Sequence, residues 1–234
     1  EKPRDIVSGD FYWGNKNDKY IYLAVSDCTG HGVPGAMLSM LGIAFLDEIM
    51  IKEPYISTND LLSKLRSKVI KELFHVNDEF TMKEGMDITL IRIDLETKEL
   101  QWSGANNPLY IIRETSKQCQ KLKGLKNIEL GEYSLAELKA NKEPIGFIHQ
   151  LNPFTAHNVQ LLKGDAIYLI TDGYADQFGG EHYKKFMSKR LKPLLISIHS
   201  KSEKEQYKIL DTTFMDWKGD TDQIDDVCIA GIVI

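Results

Sequence analysis

The order of the predicted helices and strands constrains the fold of this chain more than any single motif. Aromatic and β-branched runs at Ile6–Trp13 and Tyr20–Asp27 flank a polar turn, which predicts a β-hairpin. Two consecutive helices follow, then several strands, then two more helices and a closing strand at Ile224–Ile234. Such helix pairs are not compatible with the regular alternation of strands and helices in a doubly wound fold. We therefore expect an α+β fold, a layered α-β-β-α sandwich with central antiparallel sheets and helix pairs on the outer faces.

Apolar residues at helical spacing define the predicted helices. Pro34 opens the first helix, which runs to about Lys52 and carries an apolar row of Met37, Leu41, Phe45 and Ile49. Thr58 caps the second, whose apolar face is Leu61, Leu62, Leu65, Val69 and Leu73. The later pair is expected at about Glu181–Ser200 and Glu203–Lys218, with a sheet-facing row of Tyr207, Leu210, Phe214 and Trp217. The strands between the helix pairs are expected at Met86–Leu95, Leu100–Ser103, Leu109–Arg113, Ala156–Leu162 and Ala166–Thr171.

No internal repeat or convincing linker divides the chain, so we expect one domain over residues 1–234. Residues 115–143 are rich in Lys and Glu with weak periodicity, which predicts a surface excursion with a helix around Ser134–Lys139. The chain opens at Glu1 and runs straight into a strand, which favours the C-terminal part of a longer regulatory protein.

Composition excludes several classes of protein. The net charge of -5 argues against a nucleic-acid partner. Cys28, Cys119 and Cys228 are odd in number and lack a CxxC pair, so neither a disulfide framework nor a thiolate zinc site is expected. No uninterrupted apolar run approaches the about 18 residues that span a bilayer. A soluble, cytoplasmic domain fits best, although a missing N-terminal region could tether the full-length protein to a membrane.

Four aspartates at or near the ends of apolar segments are the candidate chemical groups: Asp10, Asp27, Asp172 and Asp225. Each alone has a structural explanation, because Asp commonly ends strands by bonding nearby backbone amides. All four together are harder to explain in that way, since a buried carboxylate is costly unless it is paired or coordinated. Oxygen ligands among abundant glycine suit Mg²⁺ or Mn²⁺ better than Zn²⁺. His31, in the Gly-His-Gly turn after Asp27, could act as a general acid, order a water or only bond locally.

The order of these motifs resembles the metal-dependent PPM (protein phosphatase 2C) superfamily, and in particular its bacterial SpoIIE-like serine/threonine phosphatases. The resemblance runs from about residue 3 to residue 234. It is carried by Ser8-Gly-Asp-Phe11, Asp27-Cys-Thr-Gly-His-Gly32, Ser103-Gly-Ala-Asn-Asn-Pro108, Glu143-Pro-Ile-Gly146, Lys163-Gly-Asp165, Thr171-Asp-Gly173 and Asp225-Asp-Val227.

The resemblance implies a ligand set for two Mn²⁺ or Mg²⁺ ions. It assigns the metal to Asp10, Asp27, Asp172 and Asp225, with Asp27 bridging, and to the backbone carbonyl of Cys28. Supporting roles fall to Gly30, His31, Asn106 and Asp226. The stretch Ala105-Asn106-Asn107 stands where some relatives carry an acid for a third metal, and Cys228 stands where a Thr is usual. The phosphate-binding Arg of eukaryotic relatives has no clear counterpart, because Arg4 is too near the start to assign.

The function that follows from the resemblance is hydrolysis of phosphoserine or phosphothreonine by a metal-activated water. Implied partners are a phosphorylated regulatory protein, such as an anti-sigma-factor antagonist, and an upstream sensory or receiver region; a homodimer is compatible with this interpretation. The alternative is a catalytically silent phosphoprotein-binding or dimerisation module of the same fold. A receiver-type phospho-acceptor is disfavoured, because it needs regular βαβ alternation over a much shorter chain.

Overall fold

Two antiparallel sheets lie face to face, and a pair of helices covers each outer face. The computed structural model describes residues 1–30, 32–73, 85–116, 126–146 and 151–234. Its elements are β1 Phe11–Lys16, β2 Tyr20–Cys28, α1 Gly32–Lys52, α2 Thr58–Leu73, β3 Gly85–Asp94, β4 Glu99–Ala105, β5 Leu109–Glu114, β6 Lys126–Leu130, β7 Tyr133–Leu138, β8 Ile145–Gly146, β9 His157–Gln160, β10 Ala166–Ile170, α3 Gly173–Asp176, β11 Phe178–Gly179, β12 Lys184–Lys185, α4 Ser188–Ile198, α5 Glu203–Lys218 and β13 Ile229–Val233. The predicted α+β sandwich is confirmed.

Both large sheets are built from antiparallel neighbours. The first has the order β1-β2-β3-β4-β9, with β8 paired to the start of β3. The second has the order β13-β10-β5-β7-β6. In the first sheet Asp27 of β2 lies opposite Asp87 of β3. In the second, β10 pairs with β13 so that the end of β10 meets the beginning of β13. These two registers bring strand ends to common edges, which is what positions the candidate site.

Three apolar layers hold the sandwich together. The α1–α2 pair packs on the first sheet through Leu46, Leu61 and Leu65. The two sheets meet through residues such as Trp102 and Ile167. The α4–α5 pair packs on the second sheet through side chains that include Leu195 and Phe214. Central strands are therefore covered on both faces, which explains why β3 and β10 read as nearly continuous apolar runs. Burying each such Leu or Ile contributes about 1.5–3 kcal/mol of transfer free energy.

Helix α1 is apolar on more than one side. Its 21 residues would be long and apolar enough to cross a membrane by length and composition alone. In the fold, however, Leu38, Gly42, Leu46 and Ile49 are buried against the first sheet and α2. In the predicted apolar row, Ile49 is buried and Phe45 packs against the core, whereas Met37 is exposed. On α2 the predicted face is confirmed, with Leu61, Leu65 and Val69 fully buried and Leu73 packed at its edge.

The first and last predicted strands are both shorter than expected. β1 begins at Phe11 rather than Ile6, because the Asp226 carboxylate binds backbone N–H groups in the segment before it. β13 begins at Ile229 rather than Ile224, because side-chain hydrogen bonds hold the residues before it outside the ladder. In both segments, side chains take the hydrogen bonds that a strand would give to its neighbour.

The described part of the 115–143 segment contains strands, and the predicted helix around Ser134–Lys139 is wrong. β7 pairs with β5 and β6, and Leu135, Ala136 and Leu138 are buried in the second sheet. The surface excursion is therefore wrong for these residues. Leu, Ala and Glu favour helices, but tertiary pairing with a central strand overrides that local preference.

The second helix pair is also shorter than predicted. α4 starts at Ser188, since the residues from Glu181 form a turn and the short strand β12. On α5, only part of the predicted apolar row faces the sheet. Phe214 is buried and Leu210 and Trp217 pack at the edge, but Tyr207 is 66% exposed. The helix thus contacts the sheet mainly through its second half.

Candidate active site

An open cavity of about 320 Å³ lies where the ends of the two sheets meet. Asp27 ends β2, Asp172 follows β10, and Asp225 lies in the segment that leads to β13. The cavity is lined by Asp27, Cys28, Thr29, Gly30, Asp87, Asp172, Ile224 and Asp225. Three of the four aspartates chosen from the sequence therefore share one cavity, although nearly the whole chain separates the first from the last.

The fourth, Asp10, is buried immediately before β1, with 3% of its surface exposed. Its carboxylate accepts a 2.6 Å hydrogen bond from the Thr171 hydroxyl, and the same hydroxyl oxygen accepts a bond from the Cys228 N–H at 2.9 Å. Thr171 thus fixes one Asp10 oxygen relative to Asp172, its own neighbour in the chain. The hydrogen bond to Thr171 therefore holds Asp10 next to the segment of Asp172.

Electrostatics show how crowded the carboxylates are. Burial, and then the charges of Asp10, Asp172 and Asp225, raise the pKa of Asp27 to about 9. Burial raises the pKa of Asp10 to about 7, with the nearby aspartates adding to the effect and the Thr171 hydroxyl opposing it. A set of acids that disfavour one another's charge in this way calls for compensating positive charge.

Asp172 stands at the mouth of the cavity with an exposed side chain. Protein atoms crowd it from one side, and this partial desolvation is the main reason why its pKa is raised, followed by the charges of Asp176 and Asp225. A hydrogen bond with Asp27 partly offsets the rise, which places these two carboxyl groups within bonding reach of each other.

Asp226 does not line the cavity; it supports the cavity from behind. It is 2% exposed, and its two oxygens accept 2.7 Å hydrogen bonds from the backbone N–H groups of Arg4 and Gly9. The Arg4 guanidinium also donates to the carbonyl of Ile224, a cavity residue. Asp226 therefore joins the segment before Asp10 to the segment that holds Asp225.

The turn after Asp27 approaches α1 closely. A Cβ atom at Gly35 would lie 2.4 Å from the Gly30 carbonyl oxygen, so only glycine fits there. Gly30 has a φ of +86° and lines the cavity. The Cys28 thiol is buried in the apolar layer beneath α1, and burial raises its pKa well above its ordinary value. Cys28 therefore offers the cavity its backbone and not a reactive thiolate. His31 lies outside the described residues.

Asp87 is a cavity residue that the sequence interpretation missed. It lies opposite Asp27 in the β2–β3 register, and Asn106, with a φ of +57°, donates a 2.8 Å hydrogen bond to its carboxylate. Burial and then Asp172 raise the pKa of Asp87, against the Asn106 bond. The signal was available, because Asp87 interrupts the apolar run Met86–Leu90 as Asp27 interrupts β2.

Among the described residues that line the cavity, the side-chain donors are oxygen atoms, since the Cys28 thiol is buried in the apolar layer. Oxygen donors of this kind fit a hard divalent cation such as Mg²⁺ or Mn²⁺. Within the ranges that the structure describes, no group of three or more His, Cys, Asp or Glu side chains is arranged as around a bound ion. The donor chemistry fits the expected metals.

Comparisons with known proteins agree with this fold. A family model described as Stage II sporulation protein E (SpoIIE) matches residues 17–233. The SiaA-PP2C domain of Pseudomonas aeruginosa is 28% identical with a TM-score of 0.83, over 100% of this chain and 83% of that chain. A search of curated proteins gave no match.

Two further structures show the same fold at lower identity. The PP2C phosphatase domain of SpoIIE from Bacillus subtilis, solved with a fragment of its regulatory domain, is 18% identical with a TM-score of 0.73, over 98% of this chain and 59% of that one. RsbX in complex with magnesium is 15% identical with a TM-score of 0.61, over 100% and 91%.

Proposed function

Because the chain belongs to the SpoIIE family of PP2C-type phosphatase domains, we propose that it is a metal-dependent protein serine/threonine phosphatase. The observation that supports this activity most is the meeting of Asp27, Asp172 and Asp225 at one open cavity within that fold, with Asp10 buried close enough for its charge to act on Asp27. Two Mn²⁺ or Mg²⁺ ions are the proposed cofactors. The magnesium-bound RsbX structure, which shares the fold, supports this choice.

The residues that would hold the ions are the four aspartates and the backbone carbonyl of Cys28. When bound, a pair of divalent ions lowers the pKa of a water and neutralises charge on a phosphoryl group. Thr171 holds the Asp10 carboxylate in place. Asp226 holds the segment before Asp10 through two backbone N–H groups. The protein therefore supplies a prepared set of oxygen ligands at an open surface.

The cavity favours direct attack by water over a covalent phosphoenzyme. The Cys28 thiol is buried and its pKa is raised, so it is a poor nucleophile at neutral pH. Among the described cavity residues, Thr29 carries the hydroxyl, which donates to the Gly85 carbonyl and accepts from the Gly85 N–H. Asp172 is exposed at the mouth, where a phosphorylated side chain on the surface of another protein can reach it.

The proposed substrate is a phosphorylated regulatory protein of the anti-sigma-factor antagonist class, controlled through an upstream sensory or receiver region. A single domain over residues 1–234 and a cytoplasmic location belong to the same proposal. The SpoIIE structure with its regulatory fragment supports an attached regulatory region in a relative of the same fold.

The direct test is an assay of the purified domain on p-nitrophenyl phosphate and on a phosphoserine peptide, with Mn²⁺, with Mg²⁺ and with EDTA. We expect hydrolysis only with the added ions. Binding of a phosphoprotein without any hydrolysis in Mn²⁺ would identify the silent binding module instead. Equal hydrolysis in EDTA would contradict the metal-dependent mechanism.

A further inference from the structure

Gln177 is a fully buried polar residue that the proposed chemistry does not use. It directly follows α3, five residues after Asp172, and none of its surface is exposed. A buried side-chain amide is costly unless its donors and acceptor are all bonded. Gln177 lies between the segment of Asp172 and the segment of Asp225, and hydrogen bonds to the second segment offset the cost of burying its amide.

The Gln177 amide joins these two segments by hydrogen bonds in both directions. Its Nε2 donates to the Asp222 carbonyl at 2.9 Å and to the Phe178 carbonyl at 3.0 Å. Its Oε1 accepts from the Ile224 N–H at 3.2 Å. Ile224 lines the cavity and immediately precedes Asp225. The amide therefore fixes the backbone on both sides of residue 223, just before a proposed metal ligand.

The backbone of Gln177 is held equally firmly. Its N–H donates to the Gly173 carbonyl at 3.1 Å, and its carbonyl accepts from the Phe186 N–H and from the Trp217 ring N–H. Gly173 itself touches the other segment, since a Cβ atom there would lie 1.9 Å from the Asp226 carbonyl oxygen. The amide thus spans two rigid pieces of backbone at the point where they are already in contact.

We propose that Gln177 is a positioning residue that sets the separation between Asp172 and Asp225. This inference rests on the proposed function, because it concerns the ligands of the proposed metal pair. A carbonyl acceptor and an amide donor are needed at one end of a single side chain, which Gln supplies and Glu or Met does not. Groups that orient metal ligands in this way typically change metal affinity or activity about 10- to 100-fold when they are removed.

The test compares Gln177→Met with the wild type by calorimetric titration of the metal-free domain with Mn²⁺, at a temperature well below both melting temperatures. We expect an affinity about 10- to 100-fold weaker in the variant. The kcat for p-nitrophenyl phosphate should fall, whereas the KM at saturating Mn²⁺ should stay near the wild-type value. Gln177→Glu keeps the acceptor for Ile224 and loses the donated bonds, so it tests the same junction if Gln177→Met does not fold.

A matched control is Gln206→Met, at another glutamine whose amide bridges segments of the fold. The Gln206 amide donates to the His199 and Lys201 carbonyls and accepts from the Tyr168 hydroxyl, all of which join α4, α5 and β10. None of these three partners lines the cavity. The control should lose thermal stability while it keeps the wild-type Mn²⁺ affinity.

The outcomes separate this inference from the proposed function. Wild-type Mn²⁺ affinity in both Gln177 variants overturns the positioning role, as does an equal loss of affinity in Gln206→Met. A wild type that binds Mn²⁺ but hydrolyses no phosphorylated substrate would refute the phosphatase, and the affinity comparison would still decide the role of Gln177. A wild type that binds no Mn²⁺ would overturn both.

Discussion

At the scale of single residues, the site depends on a few carboxylates whose geometry is fixed by uncharged neighbours. Asp27 is the most central of them, because the charges of Asp10, Asp172, Asp225 and Asp87 all act on it. Thr171 and Asn106 each donate to a carboxylate of the cluster without adding charge. Hydroxyl and amide donors orient the acids and leave their negative charge available for a cation.

Replacing Asp27 by Asn should separate catalysis from stability. The change removes one charge and the bridging capacity of the side chain, so kcat at saturating Mn²⁺ should fall on the order of a thousandfold. The melting temperature of the metal-free protein should hold or rise, because one of several mutually repelling carboxylates is gone. Measuring both quantities on one preparation decides the matter. A variant that is destabilised yet fully active would mean that Asp27 only shapes the turn.

Thr171 allows a comparison between a substitution that removes its hydroxyl at nearly constant size and one that keeps the hydroxyl. Thr171→Val deletes the hydroxyl that binds Asp10 and accepts from Cys228, so the rate should drop about 10- to 100-fold. Thr171→Ser keeps the hydroxyl and should retain most of the activity. Steady-state kinetics at saturating Mn²⁺ would show the difference. Equal activity in the two variants would assign Thr171 to packing alone.

At the scale of elements, a helix outside the first sheet holds a segment next to the cavity. Arg66, on α2, is 5% exposed and donates to Glu143 at 2.8 Å and to the Asn152 carbonyl, while its guanidinium stacks on Phe154. This clamp holds the chain on either side of β8, and β8 pairs with β3 next to Asp87. Helix α2 is thereby connected to one wall of the cavity.

Breaking this clamp should destabilise the domain in a pH-dependent way. Arg66→Met leaves Glu143 without its cation and should cost about 3 kcal/mol of unfolding free energy at neutral pH. Burial alone would raise the pKa of Glu143, but hydrogen bonds from Asn152 and Arg66 outweigh it and lower the pKa. A lowered folded-state pKa gives stability that is present above the ordinary value of 4.5 and is lost as the pH falls through the folded value.

Urea unfolding of the wild type and Arg66→Met at neutral pH and below pH 4.5 measures this effect. The difference in unfolding free energy between the two proteins should shrink as the pH falls. Lys64→Met is a useful control, because Lys64 lies on α2 like Arg66 but forms an exposed ion pair, with Glu53. An exposed pair contributes little to the unfolding free energy. A constant difference between the wild type and Arg66→Met across this pH range would contradict the role assigned to the ion pair.

At the scale of the whole molecule, the proposed ligands connect both ends of the chain. Asp10 lies before β1 and Asp225 before β13, so a cation between them would cross-link the two sheets. Ligand binding to the native state alone stabilises by about 2.7 kcal/mol at a concentration one hundred times the dissociation constant. For a domain of this size, such a gain raises the melting temperature by about 5–10 °C.

Differential scanning fluorimetry with and without Mn²⁺ should show that rise, and EDTA should reverse it. Chelators selective for zinc should leave both the melting temperature and the activity unchanged, because the proposed ligands are all oxygen. The Asp225→Asn variant provides the control, since its melting temperature should respond less to Mn²⁺. An identical response in the variant would place the stabilising ion elsewhere.

Local chemistry in the sequence was enough to predict the layered architecture and the inward face of α2, and to select four aspartates as candidates. Apolar periodicity and carboxylates at the ends of apolar segments are short-range features, and they carry that information directly. The β7 strand was beyond such reasoning, because Leu135 and Ala136 become strand residues only by pairing with β5 and β6. Tyr207 likewise follows the helical spacing but is exposed in the first half of α5, whereas Phe214 in the second half is buried.

Only the tertiary structure decided how the supports of the aspartates are connected. Asp87 joins the cavity through the β2–β3 register, and Gln177 binds a segment that is distant in the chain. A supporting role for Asp226 was expected from the sequence, but its two partners, the N–H groups of Arg4 and Gly9, are known only from the fold. Hydrogen bonds between remote segments leave no periodic trace in the sequence, because each partner is one polar residue among many. The sequence therefore determined which groups are available for the chemistry, and the fold determined which of them meet and what holds them together.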